Sequence, residues 1–160
     1  MTTHSDYTIR ALQPHETIRV RNSELRPGQP VEQCHFEGDD DATTFHIGAV
    51  NSNGEVVGVA TVLCSNELRY KQFSSQRQFQ LRAMAVDLEF QRQGIGKTLL
   101  TACVEEATKR ECQMFWCNAR AVAVGFYLKC GFSILDDVPF DIEGIGPHHV
   151  MYKQLDDLVV

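Results

Sequence analysis

Hydrophobic positions along the chain change period several times, and each change marks an element. Tyr7 to Leu12 alternates and predicts a short first strand. Pro14 suits the first turn of a helix running to about Leu25, where Arg26-Pro27-Gly28-Gln29-Pro30 breaks it. Residues 27–43 are rich in Pro, Gly and Asp and read as an irregular connection. Thr44 to Val50 and Glu55 to Leu63 read as strands, and the turn signal Asn51-Ser52-Asn53-Gly54 pairs them as an antiparallel hairpin. From about Phe79 to Val86 the period is again two, with Phe79, Leu81, Ala83 and Ala85 on one face.

The period becomes helical from Lys97 to Glu111. Leu100, Cys103, Val104 and Ala107 form one buried stripe, and Glu105–Lys109 and Glu106–Arg110 pair on the opposite side. Met114 to Cys117 reads as a buried strand, and a helix from Val122 to Cys130 ends where Gly131 can cap it. Strands near Phe132 to Leu135 and His149 to Leu155 complete the order β-α-β-β-β-α-β-α-β-β. That is an α/β domain on a mixed sheet, without internal repeats or low-complexity segments.

Composition narrows the class without identifying it. The 160 residues suit a single domain, with a core from about residue 7 to 155. A net charge of −6 argues against a general nucleic-acid binder. An acidic surface suits a cationic substrate such as an amine, and equally serves solubility. The six cysteines form no C-x-x-C pair and show no zinc spacing with the six histidines, so they read as reduced core residues and no metal is expected. Met1 to Asp6 is polar and lacks the hydrophobic segment of a signal peptide. No apolar run is long enough to span a membrane, and the expected location is the cytoplasm.

The most informative stretch is the strand ending Met84-Ala85-Val86, the loop Gln91-Arg92-Gln93-Gly94-Ile95-Gly96, and the helix from Lys97. A helix start leaves backbone N–H groups unpaired, and glycines before it let an anion approach them closely. Three phosphate-binding patterns compete. A P-loop ends G-K-[ST], as Gly96-Lys97-Thr98 does, but Gln91 stands where its first glycine is required. A dinucleotide fingerprint matches at Gly94 and Gly96 and fails at Leu99. The third pattern, Q/R-x-x-G-x-G/A, fits throughout. With Leu81-Arg82-Ala83-Met84-Ala85-Val86 before it and Ala123-Val124-Gly125-Phe126-Tyr127-Leu128-Lys129-Cys130-Gly131-Phe132 after it, the chain resembles the GNAT superfamily of N-acetyltransferases.

The resemblance implies a mixed, mostly antiparallel central sheet of about six or seven strands flanked by helices. It also implies acetyl-CoA as cosubstrate, its pyrophosphate on Gln91, Arg92, Gln93, Gly94, Ile95, Gly96 and Lys97. A strand bulge at Met84, Ala85 and Val86 would offer backbone N–H groups to the thioester oxygen. Tyr127 takes the place of a general acid for the departing thiolate; a phenol of reference pKa about 10 keeps its proton at neutral pH. The family's Asn at the start of the Tyr-bearing helix is replaced by Arg120, which leaves Asn118 as the nearest amide to line the coenzyme arm. No residue identifies itself as the general base; His46 and Glu89 are candidates that read more simply as core or surface groups. Gly144-Ile145-Gly146-Pro147-His148-His149-Val150-Met151 is similar to a G-I-P-H-x-x-M ending in one GNAT subgroup, which makes His148 a candidate for the acceptor pocket. The acidic run Glu37, Asp39, Asp40 and Asp41 reads better as a solvated turn than as a cation site. The expected partner is a small-molecule or peptide amine. No nucleic acid or membrane is expected, and a homodimer is open because dimers are frequent in the family. A non-catalytic acyl-CoA sensor on the same fold is the competing function.

Overall fold

The computed structural model describes residues 6–67, 71–135 and 139–155. In chain order the elements are β1 (Tyr7–Leu12), α1 (Ile18–Glu24), β2 (Phe45–Asn51), β3 (Val56–Cys64), β4 (Gln78–Val86), α2 (Ile95–Lys109), β5 (Met114–Arg120), α3 (Val124–Lys129), β6 (Ser133–Ile134), β7 (Phe140–Ile142) and β8 (Gly146–Gln154). The fold is α/β, with mixed, mostly antiparallel strand pairing. One strand exceeds the predicted order: Phe140-Asp141-Ile142 is too short to show a period. The chain forms two compact units, residues 1–63 with 82–106 and residues 64–81 with 107–160, so β4 and α2 each contribute to both.

In the first unit, β1 pairs with β2 and β2 with β3, all antiparallel. Pro14 opens a 3-10 turn, Pro14–Thr17, and the α-helical part of the predicted helix begins only at Ile18. Glu16 holds that turn by accepting the Gln13 N–H at 2.9 Å and the Arg10 guanidinium at 2.8 Å. The Arg10 hydrogen bond, then the Gln13 N–H, holds the Glu16 carboxyl down at about 2. Val20 of α1 packs with Leu12, Val59 and Ala85. α2 lies on Gly58 of β3, where a Cβ would sit 3.1 Å from Leu99 Cδ1 and 3.3 Å from Ile95 Cγ2. Both of those side chains are buried and have little room to yield.

The connection after α1 departs from its prediction. Glu37, Asp40 and Asp41 are exposed, but Asp39 is buried and paired with a fully buried Arg21. Arg21 Nη1 donates to Asp39 Oδ2 at 2.6 Å and to Cys34 O at 2.9 Å; Nη2 donates to Asp39 Oδ1 at 2.9 Å and Thr61 Oγ1 at 2.8 Å. A guanidinium enclosed by the core needs an anion, and the loop supplies the nearest one. Burial alone would raise the Asp39 carboxyl, but the Arg21 hydrogen bonds and charge and the Phe36 N–H hold it below the usual range. His46 joins the network. Its Nε2 faces the Asp39 carbonyl at 3.0 Å and so carries the hydrogen, and its Nδ1 meets Thr61 Oγ1 at 2.7 Å.

In the second unit, Gln78 to Leu81 of β4 runs parallel to Met114 to Cys117 of β5. β5 pairs antiparallel with β8 from Met114↔Gln154 to Arg120↔His148, and β6 and β7 also pair with β8. Alternation sorts the side chains onto two faces. Met114, Trp116 and Val150 pack with Phe73, Leu135, Phe140 and Tyr152 on one. Phe115, Cys117, Ala119, His149, Met151 and Lys153 occupy the other, where α3 and its flank lie. Phe115 meets Phe132 edge-on at 5.9 Å, and Lys153 Nζ donates to Cys130 O at 3.5 Å. Gly131 adopts φ +88°, the left-handed cap that its position predicted. All six cysteines are free thiols; Cys34, Cys103, Cys112 and Cys117 are buried as expected, whereas Cys64 is exposed and Cys130 half-buried.

Candidate functional site

The glycine loop sits in the first unit at the start of α2. The helix begins at Ile95, two residues before the predicted start, so Gly96 and Lys97 lie within its first turn. Thr98 N–H donates to Gly94 O at 3.1 Å. The N–H groups of Ile95, Gly96 and Lys97 therefore precede the first turn's bond and gather the positive end of the helix dipole. Gly94 has φ +81° with no atom within 4 Å of its Cβ position, which leaves an open approach to those donors. Arg92 is also left-handed, at φ +66°. Gln91, Arg92, Gln93 and Lys97 are exposed, so both cations of the loop are available to an anion.

Three hydrogen bonds fix the loop. Gln91 Nε2 donates to Val86 O at 2.9 Å and ties the loop back to the end of β4. Thr98 Oγ1 donates to Gly94 O at 3.0 Å and accepts from the Tyr7 hydroxyl at 3.0 Å. Asp87, which follows β4, donates its N–H to Val57 O at 2.8 Å and pairs with Arg19 of α1 at 2.7 Å. Asp87 holds the Arg19 guanidinium above its usual value, chiefly through that hydrogen bond. Glu89 is exposed beside this clamp.

β4 is irregular where regular pairing would be least useful. Ala83 has φ +55° inside the strand, a conformation that L-residues rarely adopt. Arg82 reaches the ring of Phe36 beside α1, and Ala85 packs under α1 with Val20. Residues three apart thus share a face, which a regular strand forbids and a bulge permits. The predicted shared face of Phe79, Leu81, Ala83 and Ala85 is broken at Ala83 for that reason. The parallel register with β5 ends at Leu81↔Cys117, before the bulge. Met84 and Val86 are half-buried and Ala85 buried. The backbone from Met84 to Val86 directly follows this distorted residue.

Tyr127 lies in the second unit, buried within α3. Its ring is fixed by Phe126 at 5.1 Å and Phe132 at 5.5 Å. Burial pushes the Cys117 thiol up to about 12, with a side-chain hydrogen bond to Tyr127 acting against that rise. A thiol so placed stays protonated and is no nucleophile. The Asn118 side chain, by alternation along β5, lies on the Trp116 face rather than the Tyr127 face. His148 is buried on that same opposite face; its Nδ1 donates to Gly146 O at 2.8 Å and its ring contacts Phe140 at 5.9 Å. His149, unlike His148, was not among the candidate residues. Its Nδ1 is buried without a partner among the described residues, on the face that carries Cys117. Strand alternation from Met151 would have placed it there. His46, the other candidate base, is a buried member of the Arg21 network with both ring nitrogens engaged.

Among the described residues no group of three His, Cys, Asp or Glu side chains could hold a metal ion. No described helix is long and apolar enough to cross a membrane.

The chain belongs to the acetyltransferase (GNAT) family, whose model matches residues 9–132. It is 34% identical over 147 residues to the uncharacterized N-acetyltransferase YitI of Bacillus subtilis (strain 168), covering 92% of this chain and 95% of that one. Escherichia coli ElaA has a similar fold, with a TM-score of 0.68 at 18% identity, covering 93% of this chain and all of the other. So has an acetyltransferase of the GNAT family from Streptococcus pneumoniae, at TM-score 0.68 and 17% identity, over 94% of this chain and 100% of that one. The chain is an acyltransferase enzyme, and its family uses acyl-CoA.

Proposed function

We propose that this chain moves an acetyl group from acetyl-CoA to a primary amine by direct attack. The coenzyme pyrophosphate rests on the backbone from Gln91 to Lys97, and the thioester oxygen on a backbone N–H near Ala85 or Val86. The observation that carries the reading is the opening of α2: Gly94 at φ +81°, with open space at its Cβ position, directly before the first unpaired N–H groups. A side chain there would obstruct an anion that the helix dipole attracts.

The amine nitrogen attacks the thioester carbonyl carbon, and the C=O electron pair moves onto the oxygen. Collapse of that intermediate breaks the C–S bond. Tyr127 gives its phenolic proton to the departing thiolate, the amine loses its extra proton to solvent, and solvent returns a proton to the phenolate to complete the cycle. Oriented backbone donors stabilise the oxyanion without reorganising, which is why a strand distorted at Ala83 favours the step.

Thiol release from acetyl-CoA against a panel of amines tests the reading. Tyr127→Phe is expected to lower kcat by about 100-fold or more, the range for a lost general acid, while acetyl-CoA still binds. Unchanged turnover would remove Tyr127 from the mechanism. Coenzyme A binding without transfer to any amine would instead make the chain an acyl-CoA sensor, and ATP binding without coenzyme A binding would end the coenzyme reading altogether.

A further inference from the structure

Phe36 stands among three arginines. Its ring centroid lies 4.3 Å from Arg21 Cζ, 5.3 Å from Arg26 Cζ and 5.5 Å from Arg82 Cζ. The charge of Arg21 is met by Asp39. Arg10 and Arg19 likewise have Glu16 and Asp87. Arg26 and Arg82 are different: both are exposed, and among the described residues neither has a carboxylate partner. The chain carries a net charge of −6, and Glu37, Asp40 and Asp41 follow Phe36 closely. Two uncompensated guanidinium groups on one ring are therefore an arrangement that needs a reason.

Stacking supplies one. A guanidinium held over an aromatic face keeps its N–H edge free, so a planar fork is oriented before any anion arrives. Carboxylates and phosphates match that fork. Arg82 also has a position that few surface arginines share. It immediately precedes the left-handed Ala83, and lies two to three residues from Met84 and Ala85, at most about 7 to 10 Å even for a fully extended chain. A small molecule can span that distance.

We propose that the acceptor is an anionic amine, a small molecule with a carboxylate or phosphate near its primary amine. Arg26 and Arg82 hold the anionic group while the nitrogen meets the acetyl carbon beside Met84 to Val86. The inference rests on the transfer reading above and adds the class of acceptor. It runs against a polyamine acceptor, whose charge these arginines repel.

Four matched amines test it in the thiol-release assay: 4-aminobutyrate, O-phosphoethanolamine, β-alaninamide and 1,4-diaminobutane. The wild type should favour an anionic acceptor over the neutral and cationic ones by about tenfold or more in kcat/KM, the effect of one charge-assisted contact. Whichever anionic acceptor is faster identifies the carboxylate or phosphate source. Arg82→Ala and Arg26→Ala should each raise KM for that acceptor by about 10- to 100-fold, with KM for acetyl-CoA unchanged. Arg82→Lys should recover part of the loss. Equal or faster acetylation of 1,4-diaminobutane overturns the anionic-acceptor inference and leaves the transfer reading intact. So does an Arg82→Ala variant that melts at a lower temperature with acceptor KM unmoved, since the arginine then only anchors Phe36. Thiol release with none of the four, nor with the wider panel, overturns the transfer reading itself.

Discussion

Removing Asp39 strands a buried charge in the first unit. In Asp39→Ala, Arg21 stays fully buried and loses two hydrogen bonds, at 2.6 and 2.9 Å, to a carboxylate. Two bonds to a charged group, at about 1.5 to 3 kcal/mol each, sum to roughly 3 to 6 kcal/mol. Breaking a buried ion pair by deleting one partner costs about 3 to 5 kcal/mol, so the two routes agree. For a chain of this size each kcal/mol moves the melting temperature by about 2 to 4 °C, which predicts a drop of roughly 6 to 20 °C. Arg21→Met combined with Asp39→Ala should recover much of that loss, because no charge remains stranded. It should still fall short of wild type by about 1 to 3 kcal/mol, since the Cys34 carbonyl loses its donor. The pH dependence has a definite sign. The folded Asp39 carboxyl lies below its ordinary value of about 3.9, so its contribution is complete above that pH and fades as pH falls through the lower folded value. Urea unfolding of wild type and both variants, at neutral pH and in an acid series, measures all of this. A single-variant loss below about 1 kcal/mol, or a double variant as unstable as the sum of its parts, would refute the buried-pair account.

Two further outcomes follow from local geometry. Gly94→Ala forces a Cβ onto a left-handed residue, at about 1 kcal/mol, and places it in the open approach to the α2 N–H groups; calorimetry should show weaker coenzyme A binding, and unchanged affinity would remove the glycine from the cradle. Under a colorimetric thiol reagent at pH 8, exposed Cys64 should react at once, whereas Cys103 and Cys117, each pushed up to about 12 by burial, should react only on unfolding. Fast modification of Cys117 in the native protein would show that the surroundings of Tyr127 are open to solvent.

Much of the strand and helix order was legible because buried faces impose their period on the chain. β1 runs from Tyr7 to Leu12 as the alternation predicted, and the turn at Gly54 and the cap at Gly131 follow from what only glycine does easily. The position of the glycine loop was legible for the same reason: a helix period resuming beside Gly94 and Gly96 marks a helix start, within two residues of the observed one at Ile95. Other features were hidden. β7 is too short to carry a period. The first turn of the Pro14 helix is 3-10, a difference of backbone winding that side-chain pattern does not encode. The bulge at Ala83 is invisible to the hydrophobic pattern because alanine fits either face, so Phe79, Leu81, Ala83, Ala85 reads as continuous; only the family resemblance pointed to an irregularity, one residue on at Met84 to Val86.

The chain by itself therefore determined those properties that depend on near neighbours: periods, caps, the glycine loop and the tyrosine motif. Partnerships between distant residues belonged to the tertiary structure. Asp39 looked like part of a solvated acidic turn until Arg21, 18 residues earlier, was found buried against it. His148 and His149 are adjacent in sequence, yet alternation on β8 sends their side chains to opposite faces. Phe36 showed no role until Arg26 and Arg82 met on its ring. The physical reason is the same in each case: a charge or ring is defined by what it faces, and local sequence does not say which surfaces folding brings together.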